Sequence, residues 1–107
     1  MELQDQINTY SRDLRSVSGR LNSAQRDTRL HQITRGHIET YDEKVPLYRA
    51  VGKAFVLTPK VTIEQRIDTE LQTLAKNQRD LLDRKEYLER RIQSNHQNLR
   101  DLTGVAQ

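Results

Sequence analysis

Three histidines are the residues of this chain best suited to metal binding or acid–base chemistry, and none has the neighbours such chemistry needs. A helical metal or proton-transfer site wants two His four residues apart with a carboxylate beside them. His31, His37 and His96 form no such pair: His31 falls on an apolar-periodic position, His37 follows Gly36 and His96 follows Asn95. The chain has no cysteine, which removes thiolate metal sites and disulfides and fits a reducing compartment. No Ser-His-Asp arrangement and no Gly-rich phosphate loop is present. The expectation is a chain with no catalytic residue, no metal and no cofactor, which is not an enzyme.

Charge points to a solvated surface. The 18 Lys and Arg are interleaved with 15 Asp and Glu, as in the stretch Arg79–Arg91, leaving a net charge of +3. A nucleic-acid binder more often gathers its basic residues on one face, so no nucleic-acid partner is expected. No apolar run approaches the ~20 residues of a membrane span, and the N-terminal segment has no apolar signal region. A membrane partner is not expected either, and the location expected is cytoplasmic.

The chemistry that remains is association. Pro46 and Pro59 flank the segment VPLYRAVGKAFVLTPK, which holds the only Phe and the densest β-prone composition of the chain. Its pattern predicts strands over Leu47–Val51 and Ala54–Thr58 with a tight turn at Gly52–Lys53; a single kinked strand is the alternative. A lone two-stranded hairpin is marginal in water, and its two edges invite pairing with another chain. Tyr48, Val51, Gly52, Phe55 and Leu57 are therefore the candidate assembly residues, completing a sheet supplied by other subunits. The competing reading is a turn folded onto its own helices.

Long helices must carry this segment. Apolar residues make up only 34% of the chain, enough for a stripe but not for a thick core. In the second half they recur in steps of four and three at Ile67, Leu71, Leu74, Leu81, Leu88, Ile92, Leu99 and Leu102, with Gln78, Lys85 and Asn95 in the remaining places. The first half repeats the rhythm at Leu3, Ile7, Tyr10, Leu14, Val17, Leu21, Ala24, Thr28 and His31. Beyond it, Arg35 and Gly36 interrupt, and Leu30, Ile33, Ile38 and Tyr41 predict a shifted register. The second helix can begin at Thr58 with Pro59 at its first helical position, or at Thr62 with Gln65 completing a capping box, and can end near Leu102, where Gly104 offers a C-terminal cap.

The fold class expected is mainly α: a long antiparallel two-helix coiled coil with a central β-hairpin. One domain spans 1–107, with a helix over 1–44, the hairpin over 45–60 and a helix over 61–107. Folding at Gly52–Lys53 would face residues whose numbers total 105 or 106, such as Leu3 with Leu102 and Leu14 with Ile92. Leu3, Ile7, Leu99, Leu102 and Val105 then share one end, where fraying turns could offer apolar patches. A coiled-coil tether or scaffold in another complex is the alternative function.

The layout of helix, hairpin and helix, the run Tyr48-Arg49-Ala50-Val51-Gly52-Lys53-Ala54-Phe55-Val56-Leu57, and the stretch Lys85-Glu86-Tyr87-Leu88-Glu89-Arg90 together resemble a β-type subunit of the prefoldin family. Pro59 and the seam at Arg35 and Gly36 depart from the pattern. The resemblance implies a heterohexamer of two α-type and four β-type subunits, three of the β-type being further partners of this one. Their hairpins would form a prefoldin-like inter-subunit β-barrel. It also implies ATP-independent capture of unfolded clients, actin and tubulin, at the coiled-coil tips, and their delivery to the cytosolic chaperonin.

Overall fold

The computed structural model describes residues 2–104. Helix α1 runs over Glu2–Glu39, strand β1 over Tyr48–Val51, strand β2 over Ala54–Leu57 and helix α2 over Lys60–Thr103. Two long helices with a central antiparallel hairpin are thus the fold, as the heptad pattern and the Pro-bounded segment predict. The chain divides into two compact units, Met1–Ser23 with Asn77–Gln107 and Ala24–Lys76, and both helices run through both of them.

Helix α1 stops at Glu39, five residues short of the expected Lys44. The chain tightens first: the amides of Thr40 and Tyr41 donate back three residues, to His37 and Ile38. The Thr40 hydroxyl also donates to the His37 carbonyl at 2.7 Å. An Asp42 carboxylate that accepts the Lys44 amide at 3.1 Å then fixes a turn ahead of Pro46. Lys60 completes the stop by donating to the Tyr41 carbonyl at 2.8 Å and the Glu39 carbonyl at 3.4 Å, a cation placed at the negative end of α1. Helix α2 takes the earlier of its two possible starts. The Pro59 carbonyl accepts the Ile63 amide, so the Thr62 box lies inside the helix. Gly104, with φ of 73°, closes α2 in the left-handed conformation.

In the unit that holds the termini, Ile7, Val17, Leu21 and Leu88 are buried, and Leu88 has no exposed surface. Leu3, Tyr10, Leu14, Leu81, Lys85, Ile92 and Leu99 are half-buried. These are the seam positions of the sequence pattern. Asn95, also buried, donates its amide to Gln6 Oε1 at 3.2 Å, and Arg91 lies 5.8 Å from the centroid of the Tyr10 ring. The numbers of both pairs total 101.

In the other unit, Ile38 and Ile67 are buried while His31, Leu71 and Leu74 are half-buried. Arg35 keeps its seam position by finding carboxylates. Its Nε donates to Asp68 Oδ1 at 3.0 Å, its Nη1 to Glu64, and Glu39 lies 3.4 Å away on the same helix. The hydrogen bond to Asp68, and after it that to Glu64, raises the guanidinium's pKa above its ordinary value against the opposing effect of desolvation. Because Arg35 is accommodated, α1 has no reason to turn. The shifted register expected from Leu30, Ile33 and Tyr41 does not occur; those three side chains are exposed and only Ile38 of that set is buried.

The facing totals of 105 and 106 are also corrected. Arg35 with Asp68 totals 103 and Arg35 with Glu64 totals 99, so the links within both units lie between 99 and 103. A total of 102 sets seam residue against seam residue in each unit: Leu3 opposite Leu99, Ile7 opposite Asn95 and Leu14 opposite Leu88 in one, His31 opposite Leu71 and Arg35 opposite Ile67 in the other. The physical reason is the pair of connections to the hairpin. The segment from Thr40 to Leu47 precedes β1, whereas only Thr58 and Pro59 follow β2. The turn is therefore not the midpoint of the helices.

Candidate assembly interface

The hairpin is built by its turn. Strands β1 and β2 pair antiparallel, with Tyr48 opposite Leu57, Arg49 opposite Val56, Ala50 opposite Phe55 and Val51 opposite Ala54. Two residues, Gly52 and Lys53, connect them. Gly52 has φ of 60° and Lys53 does not have positive φ, the pattern of a two-residue turn with Gly at its first central position. The Thr58 amide donates to the Leu47 carbonyl at 2.9 Å, which extends the ladder one pair past the strands. Antiparallel pairs alternate between bonded and non-bonded. Arg49/Val56 and Val51/Ala54 are then the bonded pairs. The N–H and C=O groups of Tyr48 and Ala50 point out along one edge, and those of Phe55 and Leu57 along the other.

Side chains follow the same period of two. Tyr48, Ala50, Phe55 and Leu57 share one face; Phe55 is 76% exposed, Leu57 63% and Tyr48 60%. Val51, Ala54 and Val56 share the opposite face with Arg49 and are exposed as well. Every residue of the two strands except Arg49 is exposed. Single exposed apolar residues are ordinary, but three large ones at this exposure on one face of eight residues form a patch suited to a partner. The expected assembly residues therefore divide: Tyr48, Phe55 and Leu57 on one face, Val51 on the other, Gly52 at the turn. Val56, the exposed companion of Val51, belongs with them. Strict alternation applied to both strands would have found it.

The residues expected to share one end are scattered in burial. Ile7 is sealed in the seam, Leu3 and Leu99 are half-buried, and Leu102 is 67% exposed. Val105 lies outside the described residues. Of the histidines, His31 is half-buried and His37 and His96 are exposed. Among the described residues, no group of three or more His, Cys, Asp or Glu side chains could hold a metal ion. No helix among them is long and apolar enough to cross a membrane.

This arrangement has counterparts among known proteins. A probable prefoldin subunit 1 of Dictyostelium discoideum is 25% identical over 101 residues, covering 94% of this chain and 88% of the relative. Prefoldin subunit 1 of Arabidopsis thaliana is 27% identical, covering 100% of this chain and 87% of its own. A probable prefoldin subunit 1 of Caenorhabditis briggsae reaches 31% identity over 91% of this chain and 85% of its own. The crystal structure of the prefoldin beta subunit from Thermococcus strain KS-1 superposes with a TM-score of 0.86 at 17% identity, over 94% of this chain and 89% of that one, and so shares the fold. The family model for prefoldin subunits matches residues 1–105, and the chain belongs to the prefoldin subunit family.

Proposed function

We propose that this chain is one β-type subunit of a prefoldin heterohexamer and joins it through the hairpin. Two α-type and three further β-type subunits are its partners, and the strands complete a shared β-barrel. The observation that carries the reading is the hairpin's two open edges combined with its exposed Tyr48, Phe55 and Leu57. An exposed edge of that composition is an association site unless something covers it. Within the hexamer the chain serves an ATP-independent co-chaperone of the cytoplasm that captures unfolded actin and tubulin and passes them to the cytosolic chaperonin. The family is one of co-chaperone subunits, and no catalytic step is assigned to this chain.

The test is reconstitution with the five other subunits. Phe55→Asp with Leu57→Asp should leave the chain helical by circular dichroism and remove it from the hexamer peak in size-exclusion chromatography. Co-elution of the double variant would refute the hairpin's role. For client capture, exposed Leu102 is the residue of choice. Weak apolar patches on several arms would add through avidity. Leu102→Asp should lower the hexamer's suppression of denatured-actin aggregation without changing assembly; full suppression would remove Leu102 from the client surface.

A further inference from the structure

The exception in the hairpin is Arg49. It is the one strand residue that is not exposed, and its Nε is buried without a hydrogen-bond partner. Arg35 shows what a guanidinium in this protein does when carboxylates are in reach: it engages Asp68, Glu64 and Glu39. Arg49 engages none among the described residues. Its cross-strand neighbour Val56 offers no side-chain acceptor. A buried donor left unpaired costs the desolvation of that group, so the isolated fold holds an unmet demand for an acceptor.

The surroundings say what kind of acceptor. Arg49 lines an open groove of about 630 Å³ between β1 and the first turns of α2, together with Tyr48, Ile63, Arg66 and Glu70, and with His31 on α1. Arg49 and Arg66 outnumber Glu70 there, and Glu70 accepts no hydrogen bond from Arg49. The groove adjoins the edge of β1, where the backbone groups of Tyr48 and Ala50 point outward on either side of Arg49. A free anion would meet the guanidinium but leave that edge open. A strand carrying an acidic side chain would satisfy both.

We infer that Arg49 is an assembly residue: its guanidinium takes an Asp or Glu carboxylate from the neighbouring subunit whose strand adds to the β1 edge. The inference rests on the hexamer reading above and names the chemistry of one contact within it. Hydrophobic burial on the Phe55 face would supply affinity, and the Arg49 pair would select which neighbour occupies β1.

Arg49→Met keeps the stem and removes the donors. In the isolated full-length chain it should leave the melting temperature unchanged or raise it, because an unsatisfied buried donor disappears. In titration against the other five subunits it should weaken incorporation about 30-fold or more, the loss expected when one member of a buried charge pair is truncated. Arg49→Glu should be excluded from the hexamer and readmitted when one acidic residue in a neighbour's hairpin or adjoining helix turns is changed to Arg. Unaltered incorporation of Arg49→Met overturns the inference, as does failure of every such exchange to readmit Arg49→Glu. A fall in the melting temperature of isolated Arg49→Met also overturns it, since the residue would then serve its own chain. The Phe55→Asp, Leu57→Asp variant run in the same titration separates the two ideas: if it too incorporates normally, the hexamer reading itself falls.

Discussion

The seam beside the termini and the hairpin are both apolar, and they differ in who covers them. Around Leu88 the opposite helix supplies the cover, leaving that side chain with no exposed surface. In the hairpin the largest apolar side chain, Phe55, is 76% exposed, and both backbone edges are open. One region is satisfied by its own chain; the other has been given strand geometry and apolar side chains that its own chain does not use. On the hexamer reading proposed above, the difference puts stability and assembly in separate places. A substitution should therefore move one property and spare the other.

The largest effect should come from the centre of the seam. Leu88→Ala leaves a cavity between two helices that are fixed by neighbouring layers, and should cost about 2–5 kcal/mol in thermal or urea unfolding of the isolated chain. A loss below 1 kcal/mol would mean that the seam collapses freely and is not a packed core. Next is Asn95, buried with its amide on Gln6. Asn95→Leu replaces a polar group by an apolar one opposite Ile7 and should stabilise the chain by about 1 kcal/mol, raising its melting temperature by roughly 4–8 °C. A destabilised variant would show instead that the Asn95–Gln6 bond outweighs the burial it forgoes.

How far these regions could be read in advance depends on how local their causes are. The seam residues from Leu3 to Thr28 and from Ile67 to Leu99 follow from period alone, because a helix repeats its face without reference to anything distant. The turn at Gly52 was legible for the same reason: its cause is a backbone conformation that glycine adopts freely. The offset between the helices was not legible. It depends on the unequal connections on the two sides of the hairpin, and the early end of α1 arises from Thr40, Asp42 and a lysine on α2 acting together. Arg35 misled for a related reason. Its place in the seam is explained by Glu64 and Asp68, which are remote in sequence, and Leu30 and Ile33 gave a false phase because apolar residues can also face water. Arg49 is not singled out by its sequence context, because nothing in a sequence marks a donor as unpaired.

Smaller effects sharpen the same division. Gly36 lies inside α1, exposed, and an added Cβ there would meet nothing within 4 Å. Gly36→Ala should stabilise the isolated chain by about 0.5–1 kcal/mol through helix propensity and unfolded-state entropy, with no change in incorporation. A change in hexamer content would mean that the outer face of α1 at Gly36 is itself a contact.

The smallest expected effect on the chain alone is the most discriminating. Phe55→Ala removes a side chain that is largely solvent-exposed, so unfolding of the isolated chain should shift by less than about 0.5 kcal/mol. In the hexamer the same ring, if fully covered, contributes about 1.5–3 kcal/mol. Its removal should then weaken incorporation roughly 10- to 150-fold. The ratio of the two effects measures how completely the hairpin is given over to assembly. Leu88→Ala should show the opposite ratio, a large loss in the isolated chain and incorporation reduced only as far as the folded fraction falls. If Phe55→Ala cost the isolated chain as much as Leu88→Ala does, the hairpin would be part of the chain's own core, and the contrast between the two regions would be gone.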